Sequence, residues 1–247
     1  MCRLFTLRFT VRSLLALLAV LAVVFALVGS ELRCLLREDT ARGWVEGFGG
    51  TAGYYGFEFA DKPKSAFGLD RVWFYHPVET VHLSDARAKE LSPLTRFHYL
   101  TELHLSNIEA TDLTPLGQLE HLQLLVLRNM QITDLSPLGN GKSLDRVYLT
   151  NLPVSDISFV RELPDLEYLD LENLSVVDLS CLTNARALKS LRLSRLQIND
   201  FSPLHGLGAL GELRIDRVSI TEEHLQELQE ALPQCEIIVT GRRESPR

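Results

Sequence analysis

The chain is short of the residues that build crosslinks, metal knuckles or familiar catalytic centres. Only four of its 247 residues are cysteine (Cys2, Cys34, Cys181 and Cys235), and no two stand in a C-x-x-C pair. That spacing excludes a disulfide framework or a zinc knuckle, although a single Cys34–Cys235 bridge stays open. No P-loop, G-x-S-x-G, H-E-x-x-H or Gly-rich dinucleotide loop occurs, so an enzymatic activity has no motif to rest on and no cofactor is expected. Basic charge is scarce as well, with 25 Lys and Arg against 32 Asp and Glu and a net charge of −7. Nucleic acid is thereby excluded as a partner, because its phosphates call for a basic face.

Long apolar runs are also lacking, with one exception. Residues 14–29 read LLALLAVLAVVFALVG without a charge, preceded by Arg3, Arg8 and Arg12 and followed by Glu31. A signal anchor and a signal peptide both have this layout. The uncharged run alone falls short of a hydrocarbon core of about 30 Å, but Ser13, Ser30 and flanking apolar residues extend it. Retention as a transmembrane helix over residues 13–30 is the favoured reading. Residues 1–12 form a basic cytoplasmic N-terminus, and the domain beyond residue 30 is extracytoplasmic, or periplasmic or secreted if the helix is cleaved.

What the remainder does have is a repeat. Leu100, Leu122, Leu144, Leu166, Leu188 and Leu210 recur every 22 residues without an insertion, and Val78 extends the series backward. With these as position 1, position 4 reads Val81, Leu103, Leu125, Val147, Leu169, Leu191 and Leu213. Position 6 reads Leu83, Leu105, Leu127, Leu149, Leu171, Leu193 and Ile215. Positions 11, 14 and 17 are apolar in nearly every unit. Apolar positions 4 and 6 alternate with polar 3, 5 and 7, the mark of a short strand with one buried face. Cys181 and Cys235 fall where the pattern places apolar residues, which predicts small core side chains.

The L-x-x-L-x-L core followed by I-x-D-L-S-P-L resembles the leucine-rich repeat, in the 22-residue class of internalin-like bacterial proteins and phosphatase-regulator repeats. The resemblance covers residues 78–239. It implies an α/β solenoid with parallel short strands on the concave face and short 3₁₀ or helical turns on the convex face. Where the usual motif has a buried asparagine, this chain has Ile108, Met130, Leu152, Leu174, Leu196 and Val218, with Asn107, Asn129, Asn151 and Asn173 one residue earlier. Either an apolar column packs the bend, or a backbone shift swings the asparagines inward.

Ser92-Pro93, Thr114-Pro115, Ser136-Pro137 and Ser202-Pro203 predict a hydroxyl N-cap before a proline at the first helical position. Two residues before each hydroxyl stands an acid, in the row that runs from Glu90 and Asp112 to Asp200, placed to accept backbone N–H groups of the turn. One 22-residue unit cannot fold alone, because ordering each residue costs on the order of 1–2 kcal/mol. Stability must come from stacking and from covers at both ends. Residues 31–77 are the expected N-terminal cap and the repeats run over 78–221. A helix capped by Thr221 and a strand over Cys235–Val239 make residues 222–240 the C-terminal cap, and 241–247 a solvated tail.

Position 5 lies between the two buried strand positions and therefore faces out. It reads His82, His104, Val126, Tyr148, Asp170, Arg192 and Arg214, flanked by Arg128, Arg146, Tyr168 and Glu172. Tyr and Arg are enriched at binding hot spots, and Arg192, Arg195, Arg214 and Arg217 gather at the C-terminal end. The resemblance implies that this concave face takes the ligand: a protein or peptide partner or another envelope ligand, with a small-molecule substrate not expected. Three alternatives stay open. His82 and His104, on adjacent strands, could serve a metal-assisted hydrolase, though two ligands are too few for a firm site. Tyr54, Tyr55 and His76 could line a pocket, and the chain could be a self-associating structural protein of the cell envelope.

Overall fold

Residues 36–53 and 78–241 are described in a computed structural model of the chain. The chain divides into two compact units, Met1–Thr40 and Ala41–Arg247. Residues 36–47 are helical. Among the described residues no helix is long and apolar enough to cross a membrane. The apolar run over 13–30, Cys34, and the Tyr54, Tyr55 and His76 trio all lie outside the described residues.

The alternation at positions 3–7 becomes a five-residue strand in every unit. These strands are β2 (Thr80–Ser84), β3 (Glu102–Ser106), β4 (Leu124–Arg128), β5 (Arg146–Thr150), β6 (Tyr168–Glu172), β7 (Ser190–Ser194) and β8 (Glu212–Asp216). They follow β1 (Thr51–Gly53) and precede β9 (Glu236–Thr240), and the nine form one sheet in sequence order. Pairing is parallel from β2 to β9, with equivalent positions in register, so Leu103, Leu125, Val147 and Leu169 stand side by side. Only β1 runs antiparallel, Thr51 opposite His82. It covers the amide edge of β2, an edge that would otherwise template association.

Behind the sheet, positions 1, 4, 6, 9, 11, 14 and 17 form one continuous core, and residues such as Leu83, Leu105, Leu127, Leu149 and Leu171 are fully buried. The bend after each strand settles the asparagine question in favour of the apolar column, because Asn107, Asn129, Asn151 and Asn173 stay exposed and do not swing inward. Ile108, Met130, Leu152, Leu174, Leu196 and Val218 are buried as an apolar column. The residue before each of them is left-handed, with φ between 51° and 54° from Asp85 through Asn107, Asn129, Asn151 and Asn173 to Arg195 and Arg217. Asparagine tolerates that conformation better than other non-glycine residues. The exposed amides then link across coils: Asn107 donates to Asp85 Oδ1 at 2.7 Å, Asn151 to Asn129 at 2.6 Å and Asn173 to Asn151 at 2.7 Å. Arginine gains nothing from a left-handed backbone. Arg195→Gly is therefore expected to stabilise the fold by about 1 kcal/mol, checked by urea denaturation.

The turns on the far side are 3₁₀, among them Ser92–Arg96, Ser136–Asn140, Ser158–Glu162 and Ser180–Asn184. Here the hydroxyl-cap expectation is corrected. In Ser92–Arg96 and Ser136–Asn140 the hydroxyl residue opens the turn instead of preceding it, and no side-chain cap bond comes from the flanking residue. The aspartate two residues earlier does the capping. Asp112, Asp134, Asp156, Asp178 and Asp200 each accept a backbone N–H at 2.7–2.9 Å from Thr114, Ser136, Ser158, Ser180 and Ser202 respectively. A carboxylate offers this acceptor with full charge and a short reach, which a hydroxyl in the same place cannot match. Hydrogen bonds from the Thr114, Ser136 and Ser202 hydroxyls and amides hold Asp112, Asp134 and Asp200 below the ordinary carboxylate pKa. Because those pKa values are depressed in the fold, the stability they add is present above the unfolded value near 3.8 and is lost as pH falls through the folded ones. Asp134→Ala is expected to lower the urea midpoint at pH 7, and the difference from wild type should shrink in strong acid.

At the C-terminal end Thr221 Oγ1 accepts the His224 N–H at 3.2 Å and starts a helix over Glu222–Ala231. Leu228 and Leu232 from this segment are buried against the core. Cys181 is likewise buried, and Cys235 is half-buried beside the same core. Burial pushes both thiols up, Cys181 to about 11, which leaves them protonated and inert at neutral pH.

Candidate functional site

The open face of the sheet carries positions 3, 5 and 7 of each strand. The register places His82, His104, Val126, Tyr148, Asp170, Arg192 and Arg214 in one row, each directly beside the next. Adjacent members are about 4.8 Å apart along the row.

Val126 departs from the rest of the row. It is only 6% exposed, set between His104 and Tyr148, so it acts as an apolar floor and offers a ligand little surface. Tyr168, at position 3 of β6, is 40% exposed, and Tyr148 is half-buried. Arg195 and Arg217 do not belong to the row. They occupy the left-handed bend beyond the strands, so the expected patch of four arginines separates into Arg192 and Arg214 on the face and Arg195 and Arg217 at its margin.

Most of these cations are neutralised. Arg146 Nε bonds Asp145 Oδ1 at 3.0 Å, Arg195 lies 3.6 Å from Glu172, and Arg214 pairs with Glu212. All are at least partly exposed, so each pair adds little to stability. Arg128 has no carboxylate within ion-pair distance among the described residues.

Asp170 is the least satisfied group on the face. One carboxylate oxygen, Oδ2, lies 3.7 Å from an Arg192 Nη atom, while Oδ1 is buried without any hydrogen-bond partner. Burial pushes its carboxyl pKa up. Arg192 opposes that shift, Glu172 adds to it, and Arg128 acts weakly against it. A carboxylate short of partners destabilises the isolated fold. The sequence showed an acid here but gave no sign of the missing partner, because the row alone does not reveal how deep each side chain sits.

At the other end, the His82 and His104 rings stack with centroids 4.2 Å apart and planes inclined by 21°. Stacked rings present their nitrogens side by side instead of converging on one point. Among the described residues no group of three or more His, Cys, Asp or Glu side chains is placed to hold a metal ion. Burial, then the charges of His82 and Arg128, lower the His104 pKa to about 4 from 6.5. A histidine with a lowered folded pKa stabilises the fold fully above pH 6.5, and that contribution is lost as pH falls towards 4, where the unfolded chain takes the proton first. His104→Gln is expected to remove that limb from a plot of urea midpoint against pH.

No family model matches the chain, and no curated protein matches it. Solved structures do. An internalin from Listeria monocytogenes is 25% identical, with a TM-score of 0.57 over 65% of this chain and 47% of that one. Internalin C2 from the same organism is 26% identical over 66% of this chain and 81% of its own, with a TM-score of 0.49. A leucine-rich-repeat protein of Leptospira interrogans is 24% identical, with a TM-score of 0.55 over 61% of this chain and 40% of that one. The chain thus spans less than half the length of the first and third of these. Seven units in register, a parallel ladder in sequence order and the likeness to the first and third of these structures make the chain, by fold, a leucine-rich-repeat protein, similar to the first of the internalins.

Proposed function

We propose that the chain is a non-catalytic interaction module that captures a protein partner on the open strand face, centred on Tyr148, Asp170 and Arg192. The observation that carries this reading is the Asp170 carboxylate, left with one oxygen unpartnered in the middle of a row of outward side chains. A fold selected for stability alone would place an asparagine or threonine there, and an unsatisfied polar group on a binding face is a mark of function. Tyr148 and Arg192 on either side are the residue types that anchor partners.

The apolar run over residues 13–30 tethers this module to a bacterial membrane with the repeats on the outer side. The arginines before the run and its lack of charge support that orientation.

Changing Tyr148, Asp170 and Arg192 together to alanine should abolish partner capture and leave the far-UV circular dichroism unchanged. Asp170→Asn alone should keep or raise the unfolding midpoint while weakening capture. Unaltered capture by both variants would move the site off this face.

A further inference from the structure

The unpaired cation and the stacked imidazoles lie at the same end of the open face. Position 7 there reads Ser84, Ser106 and Arg128, directly beside one another in the ladder, and position 5 reads His82, His104 and Val126. Arg128 has no carboxylate partner among the described residues, while Arg146, Arg192 and Arg214 on the same face each have one. The hydroxyls of Ser84 and Ser106 lie 3.3 Å apart and bond each other, so one proton between them is free for a further acceptor. Neither imidazole makes a hydrogen bond within the described residues. The cluster therefore supplies a guanidinium, two hydroxyls and two imidazoles, and among the described residues no carboxylate lies within ion-pair distance of the guanidinium.

We infer that this end of the face, built from Arg128, Ser106, His104 and His82, receives carboxylates from an acidic segment of the protein partner. The inference rests on the reading of the strand face as the capture surface. Charge complementarity argues for it, since a carboxylate fits the Arg128 fork and a neighbouring hydroxyl together. Arginine with two adjacent donors outcompetes solvent for an acid better than an isolated surface cation does.

Proton uptake accompanies the binding. His104 is held neutral by burial and by the positive charges of His82 and Arg128. An incoming carboxylate reverses the sign of that field and favours the imidazolium. Glu102, two residues earlier on β3, stands on the same face and also acts on Arg146 two strands away, and Asp170 lies further along the row, with Arg192 as its ion-pair partner and Arg128 acting on it at longer range. Tyr148, beside Val126, is the remaining titratable group facing this end. Capture of the acidic segment should therefore tighten as pH falls from 7 to 5.

The test uses the full-length chain with labelled histidine, observed by NMR, and a glutamate-rich decapeptide as the probe. Saturating peptide should raise the His104 titration midpoint from about 4 by about two units, and affinity should then increase several-fold between pH 7 and pH 5. Arg128→Gln should weaken the peptide about tenfold, as the loss of a charge-assisted pair predicts, while Arg96→Gln, on the exposed end of the Ser92–Arg96 turn away from the strand face, should leave binding intact.

A His104 midpoint that ignores the peptide overturns the inference, as does equal binding by the Arg128 variant. An equal response to millimolar inorganic phosphate overturns the acidic-segment occupant and makes the cluster a small-anion site. If the Tyr148/Asp170/Arg192 triple variant still captures the partner while the peptide moves His104, the capture surface has failed and the acid site stands. The reverse pair of results fails the acid site alone.

Discussion

Leu149→Ala is expected to cost the fold about 3 kcal/mol, the size typical for a buried leucine cut back to its β-carbon. Leu149 is position 6 of β5, fully buried, with Leu127 and Leu171 beside it in the ladder. Its side chain thus fills space shared by three coils, and the backbone on each side is pinned by parallel pairing, so the cavity cannot collapse. A solenoid is held by contacts between neighbouring units. The damage should therefore spread as a loss of cooperativity between the N-terminal and C-terminal repeats. Urea unfolding followed by both circular dichroism and tryptophan fluorescence checks this, with Tyr168→Ala, at a 40% exposed position, as the control expected to change little.

The second large effect is at Gly50. A β-carbon there would meet the His82 carbonyl oxygen at 2.7 Å, a Leu83 methyl at 2.8 Å and a Val45 methyl at 2.8 Å. One of these is backbone, and the two methyls are locked in the core, so no partner can give way cheaply. Gly50→Ala is expected to destabilise by about 2–3 kcal/mol through overpacking. The effect should concentrate where β1 covers β2. Hydrogen exchange should accelerate at the amides of β1 and β2 and stay unchanged in β6 to β8. Uniform acceleration would show that the first repeat does not act as a separate end.

The reason so much of this fold was legible is the absence of insertions. With a constant spacing of 22 residues, every apolar column and every strand is read directly from the sequence, and Val81, Leu103 and Leu125 fall in register as the alternation requires. The bend was not legible to the same degree. The buried Met130 column and the left-handed Asn129 column satisfy different requirements, packing and backbone conformation, and single-residue patterns do not separate them.

At the turns the acid row accepts the backbone amides as the sequence leads one to expect, and only the hydroxyl cap fails, for a related reason. Both Ser136 and Asp134 are competent to cap a turn, and the short reach from Asp134 Oδ1 to the Ser136 amide appears only once the backbone is built. On the open face, the sequence identifies which residues point outward but not how deeply they sit. Val126 is therefore floor, and the unsatisfied Asp170 and the unpaired Arg128 emerge only from the distances around them.

The most direct test of the central claim places a photo-crosslinking amino acid at Tyr148 in one full-length variant and at Thr183, exposed on the 3₁₀ turn of the opposite side, in another. After irradiation in cells, the account predicts a discrete crosslinked partner from position 148 and none from position 183. Crosslinks from position 183 with none from 148 would contradict it and place the binding surface on the turns.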